Sequence, residues 1–246
     1  MCKRASLRKY LLTLIAVCVL APAAALAAPS DEPALLSFKS GGKGIRTEWF
    51  HPPKKSSKPK PVVLIFCGSG GIQEPGGFFR DLAQSIAESG ITTVVVHYMD
   101  RSGLKWANNP QMSAHFSEWV QTVHDAVSFA TTQPDVDSKR ISLLGHSLGS
   151  QISLTEAASD TRVHSIVDMA GCFVLSTANV KRMPAVLILN CANDRVVTLR
   201  REKGLVTVLK RVNCQYREHI FPGGDHMFDN VRFDTMLDLI VTFLRN

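Results

Sequence analysis

One short stretch limits the fold of this 246-residue chain more than any other. Ile141-Ser142-Leu143-Leu144 has the apolar character of a short buried strand and runs without a break into Gly145-His146-Ser147-Leu148-Gly149, after which residues 148–158 show helical spacing. A strand that becomes a helix within a few residues needs a sharp turn. Side chains at Gly145 or Gly149 would collide with the neighbouring strand and helix. The serine at the apex is then held in strained geometry with its hydroxyl above the sheet. The helix that begins there directs its positive dipole end toward any negative charge forming beside it.

The rest of the chain repeats that alternation. Apolar or β-branched runs at 62–66, 91–97, 141–144, 165–169, 185–190 and 218–221 read as strands, several without polar alternation, as strands buried on both faces should be. Helical spacing is found at 79–89, 114–130, 148–158, 199–211 and 229–244; the last puts Phe233, Met236, Leu237, Ile240 and Phe243 on one face. Ahead of these, residues 34–38 and 45–50, separated by Gly41, Gly42 and Gly44, predict a hairpin. The expected class is α/β: a mostly parallel central sheet with helices on both faces and an N-terminal hairpin. Hydrophobic residues make up 45% of the chain, enough for one large core, and no linker or repeat interrupts residues 62–246, so residues 28–246 are read as a single domain.

A serine hydroxyl is a poor nucleophile unless a base removes its proton. Three histidines follow Ser147. His219 falls inside a strand pattern and His164 directly precedes one, whereas His226 lies in the loop Phe221-Pro222-Gly223-Gly224-Asp225-His226, where glycines let the chain fold back over the turn. His226 is therefore the candidate base. The carboxylate that fixes its tautomer should follow a late strand and precede the histidine. Asp194 does both; Asp168, inside a strand pattern, and Asp225, adjacent to His226, are the competitors. Two N–H donors are needed for an oxyanion. One is expected from Leu148 and the other from Ser69 in Phe66-Cys67-Gly68-Ser69-Gly70-Gly71, with Gly68 or Gly70 as alternatives in register. That loop lacks the Lys-Ser/Thr or Rossmann spacing of a phosphate cradle, and Cys67 reads as a packing residue.

Lys3, Arg4, Arg8 and Lys9 precede an apolar run at 11–20 and the small-residue end Ala25-Leu26-Ala27, the pattern of a signal peptide cleaved after Ala27. Residues 1–27 are thus expected to be a signal peptide and the product to be exported, periplasmic or secreted, touching a membrane only if this segment is retained. Cleavage would leave 24 Lys+Arg against 21 Asp+Glu and lower the net charge from +7 to +3. The remaining cluster Lys54, Lys55, Lys58 and Lys60 has no interleaved aromatics, and no nucleic-acid partner is expected. Cys67, Cys172, Cys191 and Cys214 would stay, as disulfides or as buried thiols. No spacing resembles a zinc site.

Taken together, the 68–71 loop, the Ser147 turn, the Asp194 loop and the run Gly224-Asp225-His226-Met227-Phe228 resemble the α/β-hydrolase superfamily. The short, lidless layout resembles its dienelactone hydrolase-like branch over about residues 45–246. Dienelactone hydrolases proper use a cysteine nucleophile, and serine here favours a general carboxylesterase-like activity over dienelactone itself. The resemblance implies attack by Ser147 on the carbonyl of a small acyl substrate, proton transfer by His226, and release of the acyl-enzyme by water, with no metal or organic cofactor. Acyl transfer, thioester or peptide cleavage by the same residues, and a non-catalytic binding protein on this scaffold, are the alternatives. Trp106, Phe116 and Trp119, in or after a loop expected at 99–112, are candidates for the substrate pocket, with core packing as the alternative.

Overall fold

The computed structural model describes residues 32–54, 56–72, 77–173 and 177–246; the expected signal peptide and Lys55 lie outside them. Among the described residues no helix is long and apolar enough to cross a membrane.

Eight strands form one sheet: β1 (Ala34–Ser40), β2 (Lys43–Phe50), β3 (Lys60–Phe66), β4 (Thr92–Val96), β5 (Val136–His146), β6 (Val163–Met169), β7 (Ala185–Cys191) and β8 (Tyr216–Phe221), in the spatial order β1-β2-β4-β3-β5-β6-β7-β8. The hairpin β1–β2 is antiparallel and β2 joins β4 antiparallel, while β4, β3, β5, β6, β7 and β8 are parallel. The sheet is covered on both faces, and the parallel strands read as apolar for that reason. Val62, Leu64 and Phe66 of β3 face α2 (Asn109–Thr131), α3 (Leu148–Ala157) and α4 (Leu199–Arg211). Val63 and Ile65 face α1 (Phe78–Glu88) and α5 (Phe233–Leu244). This is the period-2 alternation of a strand, used here to feed two cores.

Three elements differ from the sequence expectation by more than two residues at one end. Helix α2 starts at Asn109, earlier than 114, because Asn108 closes a capping box: its Oδ1 accepts the Gln111 N–H at 3.0 Å and the Gln111 side chain accepts the Asn108 N–H at 3.0 Å. The expected loop at 99–112 is thereby shortened from the helix side, and its strand side is a 3-10 turn, Tyr98–Arg101. Helix α5 starts at Phe233 instead of 229, since Phe228 and Asn230 hold positive φ angles of 63° and 64°, outside helical space. Strand β5 begins five residues before the apolar run, its polar start joining the sheet through backbone pairing of Val136 with Lys60.

Candidate active site

The parallel strands end on one edge of the sheet, and the loops leaving β3, β5, β7 and β8 carry the candidate residues. At the end of β5, Ser147 has φ 50° and ψ −115°, a region that costs a non-glycine residue about 1–3 kcal/mol. Its N–H donates to the Met169 carbonyl at 2.9 Å and its carbonyl accepts the Gln151 N–H at 3.0 Å, so β6 and α3 together hold the strained turn. The flanking glycines are required sterically. A Cβ at Gly145 would lie 2.3 Å from Ser150 Cα, and one at Gly149 would lie 1.9 Å from the Phe66 carbonyl oxygen.

His226 reaches this turn from beyond β8. Ser147 Oγ–H donates to His226 Nε2 at 2.9 Å, and His226 Nδ1–H donates to Asp194 Oδ2 at 2.8 Å. Asp194 follows β7, and its other oxygen accepts the N–H groups of Val196 at 2.7 Å and Val197 at 2.9 Å. Burial alone would raise the Asp194 carboxyl; the His226 ring and these two N–H groups outweigh it and hold the group below its ordinary value. An ionised carboxylate only accepts, which puts the ring proton on Nδ1 and leaves Nε2 free to take the serine proton. The arrangement can therefore convert Ser147 into an alkoxide-like nucleophile.

The competing carboxylates are engaged elsewhere. Asp225 Oδ1 accepts the N–H of Met227 at 2.9 Å, a local turn contact. Asp168 is fully buried on β6, bonded by Ser150 Oγ, and burial pushes its carboxyl up to about 7. His164 lies in β6 and His219 in β8. Burial likewise pushes the Cys67 thiol far above its ordinary range, which removes the thiolate a nucleophile needs. Cys67, Cys172, Cys191 and Cys214 are all free thiols.

The loop after β3 is drawn against the turn, where a Cβ on Gly68 would lie 3.5 Å from Ser147 Cβ. Gly71 N–H closes it onto the Gly68 carbonyl at 3.0 Å, the Ser69 carbonyl accepts the Ala107 N–H at 2.8 Å, and Tyr98 Oη donates to the Cys67 carbonyl at 3.1 Å. Leu148, the other oxyanion candidate, opens α3 directly after Ser147. Trp106 is 59% exposed and lines a cavity of about 370 Å³ with Gly70, Gly71, Ile72 and Lys105, to which none of Ser147, Asp194 and His226 contributes. Phe116 and Trp119 do not line it. Both belong to the core beneath α2, where their three-residue spacing points them at the sheet; Trp119 packs on Tyr98 at 5.5 Å and donates to Ser102 Oγ at 3.0 Å. Both therefore take the core-packing role given above as their alternative. Sequence reasoning passed over Tyr98 and His146, because a loop-carbonyl clamp or a residue inside Gly-x-Ser-x-Gly has no residue-type signature. His124, Glu156 and Asp160 bring donor atoms within 4.8 Å of one another, but Arg162 already bonds Asp160 at 2.6 Å among them.

A parallel sheet with this strand order, a serine on a strand-to-helix turn and a histidine returning after the last strand define the α/β-hydrolase fold. The chain belongs to the dienelactone hydrolase family, whose sequence profile matches residues 46–236. Serine, Ser147, stands at the apex of its strand-to-helix turn. The fold is shared with a dienelactone hydrolase from Anabaena variabilis (TM-score 0.67, 17% identity, 87% of this chain and 98% of that one). It is shared too with a thermophilic esterase from Thermogutta terrifontis (TM-score 0.69, 16% identity, 88% and 95%). Among curated proteins the chain is 30% identical to a polyketide transferase of Stachybotrys chlorohalonatus over 122 residues, 50% of this chain and 39% of that protein. It is 33% identical to a thiohydrolase of Arthrinium phaeospermum over 89 residues, 36% and 28%. The chain thus spans half or less of the curated relatives it matches.

Proposed function

We propose that this protein hydrolyses carboxylic esters or related acyl bonds of small molecules through an acyl-enzyme on Ser147. The observation that carries the reading is the unbroken chain of two hydrogen bonds, 2.9 Å and 2.8 Å, from Ser147 through His226 to Asp194. Ser147 Oγ attacks the acyl carbon as His226 Nε2 takes its proton, and the same proton passes to the departing alkoxide. Water then attacks the acyl-enzyme, giving its proton to His226, and the acid leaves as Ser147 recovers its hydrogen. The N–H groups of Leu148 and Ser69 receive the developing oxyanion, and Trp106 borders the substrate. No cofactor takes part in this sequence. The basic and apolar N-terminal segment supports export to the periplasm or medium.

The test is turnover of p-nitrophenyl esters of graded acyl length, thioesters and small peptides, with labelling by a fluorophosphonate probe. Ester cleavage and labelling are expected, and Ser147→Ala should abolish both while keeping the fold. Activity near wild type in that variant, or turnover of peptides alone, would overturn the reading. A second outcome, transfer of the acyl group to an acceptor other than water or cleavage of a thioester, is favoured by the names of the two curated relatives. Partition of the acyl-enzyme between water and an added alcohol or thiol separates transfer from hydrolysis.

A further inference from the structure

Three loops must stay in register for the reaction proposed above: the Ser147 turn, the glycine loop after β3, and the loop that carries His226. One side chain touches all three. His146, the last residue of β5, is 3% exposed and precedes the nucleophile directly. Its ring packs against that of His226 with centroids 5.1 Å apart, between Phe79 at 5.7 Å and Phe228 at 6.2 Å. Its Nε2–H donates to the backbone carbonyl of His226 at 2.8 Å. The other ring nitrogen, Nδ1, is buried without a partner and faces Gly68, where a Cβ would approach it to 2.8 Å.

These contacts fix the protonation state. A carbonyl only accepts, so the single hydrogen of a neutral imidazole must sit on Nε2. A second hydrogen on Nδ1 would be a buried donor with no acceptor, in a cation facing a ring that itself becomes positive during turnover. Burial accordingly lowers His146 to about 4, although its bond to the His226 carbonyl works the other way. Nor can His146 act as an alternative base, since Nε2 is a committed donor and Nδ1 is buried.

We propose that His146 is a positioning residue: an Nε2–H donor that holds the His226 backbone, and so the height and tilt of the catalytic ring over Ser147, while packing the turn against the glycine loop. The proposal rests on the reading of Ser147, His226 and Asp194 given above. A displacement of about 1 Å at the reacting groups costs on the order of 10²-fold in rate, and His146 controls that distance through one bond to the base's own main chain.

The experiment compares His146→Gln, His146→Asn and His146→Phe in the full chain. Gln carries an amide N–H to roughly the position of Nε2, Asn is too short, and Phe keeps the ring without a donor. Initial rates on p-nitrophenyl acetate across pH should show kcat lowered about 10- to 100-fold in Phe and Asn, KM within about threefold of wild type, and most of kcat recovered in Gln. Protection of the His226 Nδ1 proton against solvent exchange, read by NMR, should fall in Phe and Asn and stay near wild type in Gln. Equal kcat in all three variants, a loss confined to KM, or unchanged protection of that proton in Phe and Asn would overturn the proposal. If Phe does not fold, Gln against Asn carries the same comparison. The exchange measurement needs no turnover, so a failure of the His146 role is distinguishable from a failure of the site reading, which Ser147→Ala tests.

Discussion

Asp194→Asn separates the two jobs of this carboxyl group. Oδ1 accepts two backbone N–H groups, from Val196 and Val197, and Oδ2 accepts the His226 Nδ1–H. An asparagine has a single acceptor oxygen, and the two N–H groups claim it, so the amide NH₂ must face His226. Two donors cannot share that contact. The ring answers by moving its proton to Nε2, leaving Nδ1 to accept from the amide, and Nε2 then meets Ser147 Oγ as a donor where it was an acceptor. The base is lost without loss of the loop. The expected fall in kcat at neutral pH is on the order of 10⁴, by analogy with the same change in a serine protease triad. That is about 5.5 kcal/mol of transition-state stabilisation. The stability cost should be small, about 1 kcal/mol, because every hydrogen bond of the loop survives and only one loses its charge assistance. Initial rates on p-nitrophenyl acetate and calorimetric Tm of the same samples measure both. A drop in kcat below about tenfold with the fold intact would refute the tautomer argument. A larger loss in Asp168→Asn would transfer the acid role to that residue.

Two further changes probe the frame around the site. Gly149→Ala puts a Cβ 1.9 Å from the Phe66 carbonyl oxygen and 2.6 Å from that of Cys67, both backbone atoms that cannot rotate away. The cost should be about 3 kcal/mol or more, lowering Tm by roughly 10 °C in a domain of this size; an unchanged melting curve would contradict the packing of α3 on β3. Glu202→Gln concerns a carboxyl on α4 that is 2% exposed and raised by burial, with Glu218 reinforcing the shift and Asn190 opposing it. The folded state keeps this proton where the unfolded chain has lost it. Stability therefore falls as pH climbs from the ordinary value of 4.5 through the raised folded value, and Gln removes that slope. The variant should gain in Tm relative to wild type at pH 8 compared with pH 5, and a difference independent of pH would count against it.

The frame of this fold was legible because it is written in local patterns. The helix at 199–211 and the strands flanking the Ser147 turn follow from periodicity, and the turn follows from glycines that the neighbouring backbone leaves no room to replace. The early start of α2 was also present, as Asn108 and Gln111 three residues apart, a shorter signal than the apolar run it precedes. Strand β5 was underestimated because its first half is polar and partly exposed, held by main-chain pairing that side chains do not report. Phe116 and Trp119 show a different limit. Spacing identifies the apolar face of a helix, but whether a sheet or a cavity lies under that face depends on elements distant in sequence. The burial of the polar side chains Asp168, Asn190 and Glu202 was invisible for the same reason, since each is ordinary in its own segment.

The order Ser, Asp, His along the chain is a consequence of the order of the strands. Neighbouring strands are about 4.8 Å apart, so the loop after β3 adjoins the β5 turn directly, while the loop after β7 emerges about 10 Å away and that after β8 about 14 Å away. Asp194 turns back within its own short loop, braced by Val196 and Val197. The last loop must arch over β7 and β6 to bring His226 to Ser147. Gly224, with φ 78° and no space for a Cβ between Val231 and the Asp229 carbonyl, makes the first bend of that arch. The bond from His146 to the His226 carbonyl is the far end of the same arch. An arch secured at its foot by a glycine and at its tip by an imidazole has little freedom between them, and this is how a base 79 residues beyond the nucleophile is held at 2.9 Å.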